Sequence, residues 1–374
     1  MYTRFRIQNF KSFRDLAFDD LARVNLIAGK NNTGKTSVLE ALLLHAGYYL
    51  PDVFLRIRKT DAPRRTRDRA LSEWDTLFNN FRTNRAIKLI GSIPFEPRTG
   101  QLSLSGFSET TLEINLFPSD IDDVPVEIER ELRRFDRTYG VQEDVILNNI
   151  HMISIKRRPS IENRTDEAVY FAQYDGFIVS SRVRSQGVLP TLFLASRERV
   201  SQDFVAEKYS DLDLAGNLSL LVEALRIIEP RLQNVRLIYR GNPPEIYGDI
   251  GLEKPLPLSF MGEGFSRLAN LIIAMSSVQN GVLLIDEIEN GLHHSILPDV
   301  WRAINAAAEQ FNVQVFATTH SYEAIQAAHK VFSETDDYDF RLHRLDRQDN
   351  NEITHVTYDQ RTLQTAINME LEVR

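Results

Sequence analysis

Eight residues set the first limit on how this chain can fold: Gly29-Lys30-Asn31-Asn32-Thr33-Gly34-Lys35-Thr36. They fit G-x-x-x-x-G-K-[S/T] without a gap. The apolar run Val24-Asn25-Leu26-Ile27-Ala28 precedes them as a short strand, and a helix rich in leucine and alanine is expected from Ser37 to about Leu50. Gly29 and Gly34 permit backbone angles that turn successive N–H groups towards one point. The helix N-terminus adds its partial positive charge there. A loop of this composition cradles phosphates. Lys35 would set an ammonium between the β- and γ-phosphates of a nucleotide, and the Thr36 hydroxyl would ligate Mg²⁺. Asn31, Asn32, Thr33 and Ser37 complete the expected nucleotide-binding loop.

A second dense block lies between Leu258 and Ser321. Gly281-Val282-Leu283-Leu284-Ile285-Asp286-Glu287 reads as an apolar strand ending in two acids. Adjacent carboxylates at the end of a buried strand are costly unless a cation stands nearby. Mg²⁺ is the natural one, held by Asp286, with Glu287 orienting or deprotonating an attacking water. A plain helix-terminal acid is the alternative for Glu287. Just upstream, Met261-Gly262-Glu263-Gly264-Phe265 opens a helix running through Ile273. Its glycines and helix start make a second anion-binding terminus, with Gly262, Glu263 and Gly264 as candidate contacts. One chain has no need of two such sites for one nucleotide, whereas two facing chains do. Downstream, a helix carries Leu297, Val300, Trp301 and Ile304 on one face, and the strand Val313–Thr318 leads to Thr319-His320-Ser321. A histidine at that strand end sits where ligands bind parallel sheets, so His320 is expected at the γ-phosphate. His293-His294 is left between a contact to a facing subunit and a contact to the attacking water.

The rest of the chain supplies context. Its 374 residues suit one large core with an insertion, or two domains. There is no cysteine, which excludes disulfides, thiolate zinc sites and cysteine nucleophiles. No apolar run approaches the roughly 18–20 residues of a membrane span. The N-terminus does not read as a signal peptide, so a cytoplasmic location without membrane association is expected. The net charge of −8 does not advertise nucleic-acid binding, although a local patch could still provide it. The candidate is Arg56–Lys59 with Arg64, Arg65, Arg67 and Arg69, which reads more readily as a solvated or intersubunit face.

Elements outside the two motif blocks are read more coarsely. Strands are expected at 5–10, 87–90, 102–104 and 112–116, and a charged helix over 119–137. A further helix is expected at 218–225 and strands at 235–239 and 245–247. The segment Asp337-Tyr338-Asp339 reads as a solvated loop.

Taken in order, Gly29–Thr36, Gly262–Gly264, Val282–Glu287 and Thr319-His320-Ser321 resemble ABC-type ATPase heads. Ile7-Gln8-Asn9-Phe10-Lys11-Ser12-Phe13, the run Leu284–His293 and the run Phe316–Ser321 are more closely similar to the SMC-like and OLD-like (overcoming lysogenization defect) ATPases of bacteria. The resemblance covers about 1–50 and 215–330. It implies an α/β P-loop NTPase fold of the ABC-head kind, with a mixed sheet, an antiparallel β subdomain and an inserted helical arm. Residues 1–50 and 191–374 would form the core, and 51–190 an inserted β/helical arm region. It further implies ATP and Mg²⁺, a head-to-head homodimer sandwiching two ATPs, and a role in DNA repair or antiphage defence. Two departures limit this: Met261–Phe265 lacks a Ser-Gly-Gly core, and only a short stretch follows His320, where OLD nucleases continue into a Toprim domain. The chain is therefore expected not to cut DNA itself, any nuclease or effector being a separate polypeptide. The rival expectation is a nucleotide-gated scaffold with little turnover that assembles a partner.

Overall fold

Two sheets grip one helix, and that grip places the phosphate loop. The computed structural model describes residues 1–47, 75–95, 106–117, 151–159, 166–173, 176–179, 189–196, 201–239 and 244–374. The antiparallel sheet joins β1 (Arg4–Phe10), β2 (Phe13–Phe18), β4 (Ile87–Phe95), β5 (Gly106–Phe117), β6 (His151–Pro159), β7 (Asp166–Gln173) and β8 (Gly176–Val179) in the order β2-β1-β4-β5-β6-β7-β8. The second sheet contains β3 (Val24–Gly29), β9 (Thr191–Leu194), β13 (Val282–Ile285), β14 (Gln314–Thr318), β15 (Phe340–Arg347) and β16 (Ile353–Tyr358), ordered β16-β15-β3-β14-β13-β9. All its pairings are parallel except β15 with β16. A small third sheet is made by β10 (Asn234–Ile238), β11 (Glu245–Asp249) and β12 (Leu256–Pro257).

Every residue of β3, β13 and β14 is buried, as expected of parallel strands covered on both faces. Their alternation splits the core in two. Ile27, Val282, Leu284 and Phe316 face helix α1 (Lys35–Ala46) and, beyond it, Phe5, Ile7, Leu89 and Leu112 of the antiparallel sheet. Leu26, Leu283, Ile285, Val315 and Ala317 face the opposite layer. That layer holds α2 (Gln202–Leu214), α3 (Leu218–Arg226), α4 (Glu263–Ser276), α5 (Leu297–Gln310), α6 (Tyr322–Ser333) and α7 (Gln360–Asn368). Helix α1 is thus buried on nearly all sides, which explains its continuous run Leu42-Leu43-Leu44. Leu297, Val300, Trp301 and Ile304 lie on the buried side of α5, as their spacing predicts.

Two details differ from expectation. Helix α1 ends at Ala46, capped where the Gly47 N–H bonds the Leu43 carbonyl, instead of running towards Leu50. The segment 337–339 is a loop with Asp337 exposed, as expected, but Asp339 is also engaged: its Oδ1 accepts from the Arg23 N–H at 2.7 Å and its Oδ2 pairs with Arg23 Nε at 3.4 Å, clamping the start of β3. Strand β1 lies between β2 and β4 and pairs with both, so the antiparallel sheet combines the N-terminus with the middle of the chain. The strand expected at 102–104, the helix expected over 119–137 and the basic stretch Arg56–Arg69 lie outside the described residues. No helix among the described residues is long and apolar enough to cross a membrane.

One buried histidine links this core to pH. His343 on β15 is fully enclosed beside Phe18, with its ring nitrogens near Thr357 Oγ1 (3.1 Å) and Asn25 Oδ1 (3.4 Å). Burial first, then His355 and Arg341, pushes its pKa down to about 3. The unfolded chain takes up this proton near pH 6.5, whereas the folded chain refuses it until about pH 3. Its contribution is therefore complete above pH 6.5 and is lost as the pH falls towards 3, at up to about 1.4 kcal/mol per pH unit. Between pH 7.5 and 5.5, His343→Asn is expected to lose about 1 kcal/mol less stability than the wild type in denaturant titrations. Equal losses in the two proteins would remove His343 from the acid response.

Candidate active site

The phosphate loop takes its shape from three packing constraints. Gly29 (φ +149°) has no room for a β-carbon, which would lie 2.6 Å from the Leu345 carbonyl oxygen and 2.8 Å from Thr33 Oγ1. Gly34 (φ +90°) sits on the Phe13 ring, which a β-carbon would meet at 2.7 Å. Thr33 Oγ1 donates to the Lys30 carbonyl at 2.9 Å and closes the loop. Arg347 from β15 donates to the Asn32 carbonyl at 2.6 Å, while the Asn31 and Asn32 side chains are exposed. The early motif Asn9–Phe13 proves to be the floor of this site. Phe13 underlies Gly34, Lys11 pairs with the partly buried Glu40 of α1 at 2.5 Å, and Asn9 Nδ2 holds the Arg85 carbonyl at 2.6 Å. Ser37 hydrogen-bonds that same Glu40, whose carboxyl is raised by burial.

Lys35 is half-buried over the loop, its Nζ donating to the carbonyls of Gly29 (2.6 Å) and Lys30 (3.0 Å). Burial lowers its pKa, opposed by Asp286, Glu287 and Glu289, so three carboxylates lie within its electrostatic reach. Thr36 Oγ1 donates to Asp286 Oδ1 at 3.1 Å, which brings together residues far apart in the chain. Thr318 Oγ1, at the end of β14, donates to the same oxygen at 2.7 Å and itself accepts the Glu287 N–H at 2.8 Å. The parallel order β3-β14-β13 makes this convergence possible, since all three strands end at one edge.

Glu287 adopts a left-handed conformation (φ +52°), which is costly for a residue with a side chain. Its carbonyl accepts from Arg267 Nη2 at 3.1 Å, so both backbone polar groups of this residue are tied down. His320 is exposed at the mouth, with its N–H and Nδ1 on Glu289 Oε1 at 2.9 and 3.1 Å. His293 and His294 lie ring to ring at 4.1 Å, and His293 Nδ1 contacts Ser295 Oγ. Gly262 and Glu263 are exposed at the start of α4, and a β-carbon on Gly262 would meet nothing within 4 Å. The contacts of this terminus run to the loop after the acids. A β-carbon on Gly264 would collide with Ile296, and one on Gly291 would lie 3.3 Å from Glu263 Oε1.

Thr318, Glu289 and Arg267 are the participants that the sequence reading missed. Thr318 and Glu289 stand beside residues it did single out, two positions before His320 and two after Glu287. Arg267 carried no local signal, because its partner lies on another element.

A phosphate loop, an acid-tipped strand and a polar strand end between them are the working parts of a nucleotide hydrolase. A family model described as "AAA domain, putative AbiEii toxin, Type IV TA system" matches residues 24–326. The chain belongs to this family. It is a P-loop ATP hydrolase with the ABC-type order of motifs. Within and beyond this AAA-domain family, the chain is 23% identical over 349 residues to an ATP/GTP phosphatase of Helicobacter pylori, covering 88% of each protein. It is 22% identical over 369 residues to the DNA replication and repair protein RecF of Heliobacterium modesticaldum, covering 84% of this chain and 90% of that one. Among solved structures, it is similar to an SMC head bound to the C-terminal winged-helix domain of ScpA, at 12% identity and a TM-score of 0.47, covering 98% of this chain and 99% of that one.

Proposed function

We propose that this protein is an Mg²⁺-dependent ATPase in which each ATP is held by the phosphate loop of one copy and completed by the start of α4 from a second. The observation that carries the metal assignment is the direct contact of Thr36 Oγ1 with Asp286 Oδ1 at the loop mouth. A hydroxyl and a carboxylate, both oxygen donors, suit a hard cation such as Mg²⁺. When bound, that ion neutralises phosphate charge and orients the transferred group.

The chain's own residues do the rest. Gly29, Asn31, Asn32, Thr33, Gly34 and Ser37 shape the cradle, and Lys35 exchanges its loop carbonyls for phosphate oxygens. Thr318 holds the Asp286 carboxylate and fixes the Glu287 backbone, aiming the Glu287 carboxylate to take a proton from water as it attacks the γ-phosphorus in line. His320, oriented by Glu289, donates to the γ-phosphate. Gly262 and Glu263 are exposed, and nothing lies within 4 Å of where a β-carbon on Gly262 would be, which supports this terminus, with Gly264 behind it, meeting the nucleotide of a facing copy. Residues 1–50 and 191–374 serve as the ATPase core and 51–190 as the inserted region.

The engine is assigned to a DNA-repair or antiphage-defence system, acting on nucleic acid or on a separate nuclease or effector. The repair protein among the relatives and the toxin–antitoxin wording of the family description support that assignment. Phosphate release with Mg²⁺, with EDTA, and from Asp286→Asn tests the chemistry. Turnover should need the divalent ion and fall by about 10²-fold or more in the variant. Undiminished hydrolysis in EDTA would contradict the metal assignment.

A further inference from the structure

Two oppositely charged side chains beside Glu287 are incompletely paired. Arg267 lies just past Gly262–Gly264 in the first turns of α4, and its Nη2 donates to the Glu287 carbonyl. Its Nε is buried without a hydrogen-bond partner. Glu289 is only 12% exposed; its Oε1 serves His320, and its Oε2 is likewise buried without a partner. Glu289 is also the carboxylate that acts most strongly on the Arg267 guanidinium. A buried donor and a buried acceptor left open in one neighbourhood are expensive, and native proteins keep few of them. Glu287 meanwhile holds a left-handed backbone tied by its N–H to Thr318 and by its carbonyl to both the Asn290 N–H (3.0 Å) and Arg267, the last being the one tie from α4. The Thr318 tie comes from the sheet, and the Asn290 tie from the turn itself. The Arg267 tie comes from α4, the helix whose exposed end is free to engage another molecule.

We propose that Arg267 is a positioning residue that couples the start of α4 to the hydrolytic carboxylate of the same chain, with Glu289 as its alternative partner. With its guanidinium on the Glu287 carbonyl, Arg267 sets the turn that aims the carboxylate. A shift of α4 on meeting the facing nucleotide changes that hold, and the open Nε and Oε2 give the guanidinium a second place to settle. Occupancy at one nucleotide site is thereby communicated to the water-activating group of the other. This inference rests on the roles given above to Glu287 and to Gly262–Gly264.

The test uses the full chain as wild type, Arg267→Gln, Arg267→Lys and Glu289→Gln, measuring steady-state phosphate release and equilibrium ATP binding for each. Arg267→Gln is expected to lower kcat about tenfold or more while its Kd for ATP stays within about threefold of wild type. Arg267→Lys, which can still donate to the Glu287 carbonyl, should recover most of the turnover. Glu289→Gln should also lower kcat without changing Kd. Wild-type turnover in Arg267→Gln overturns the proposal, as does a parallel loss of binding and turnover, or no recovery with lysine. Should Arg267→Gln fail to fold, Glu289→Gln decides, and an unchanged kcat there overturns the coupling. A wild-type protein that binds ATP without hydrolysing it removes the underlying hydrolytic reading, a result visible before any variant is made.

Discussion

Glu287→Gln lowers ATP turnover by about 10²- to 10⁴-fold, the range expected for losing a general base, and leaves ATP binding intact. The expectation follows from how the residue is held. Its left-handed backbone is fixed by the Thr318 hydroxyl and the Arg267 guanidinium, both acting on main-chain atoms. The amide has nearly the shape of the acid, so these ties and the surrounding packing survive the substitution. What disappears is the ability to take a proton from the attacking water. Single-turnover phosphate release, read beside ATP binding to the same preparation, checks this. Turnover equal to wild type would take the hydrolytic role away from Glu287.

Lys35→Ala acts earlier, on binding. The ammonium is held over the loop by the Gly29 and Lys30 carbonyls, half-buried, and within the field of Asp286, Glu287 and Glu289. Replacing it by a methyl group leaves a triphosphate facing those carboxylates without its nearest countercharge. Losing one charged partner of this kind should weaken ATP binding by about 10²-fold or more. The fold should hold, because α1 is anchored by Val38, Leu39 and Leu42 and not by this side chain. Calorimetric titration with ATP reads the effect. An unchanged Kd would mean that Lys35 does not meet the phosphates.

The parts of the site that were legible in the sequence are those whose chemistry is contiguous. Gly29–Thr36 carries its own instructions, because each glycine angle and the helix start lie within eight residues. Val282–Glu287 is equally local, an apolar strand with acids at its end. The fold followed from such runs wherever burial is two-sided, as in β3, β13 and β14. What the sequence withheld depends on partners brought together by the tertiary fold. Thr318 is an ordinary strand residue until β14 is inserted between β3 and β13, where its hydroxyl meets Asp286. Strand β1 announces itself by alternation, yet nothing in that alternation selects β4 as its neighbour. Helix α1 misled at its end because the apolar run continues beyond the point where Gly47 caps it.

The central claim is that ATP joins two copies of this chain. The mass of Glu287→Gln in solution, measured with and without ATP and Mg²⁺, tests it most directly. The account predicts a monomer without nucleotide and a dimer with both ligands present. An unchanged mass in a protein shown to bind ATP would contradict the shared site and the role of Gly262–Gly264 within it.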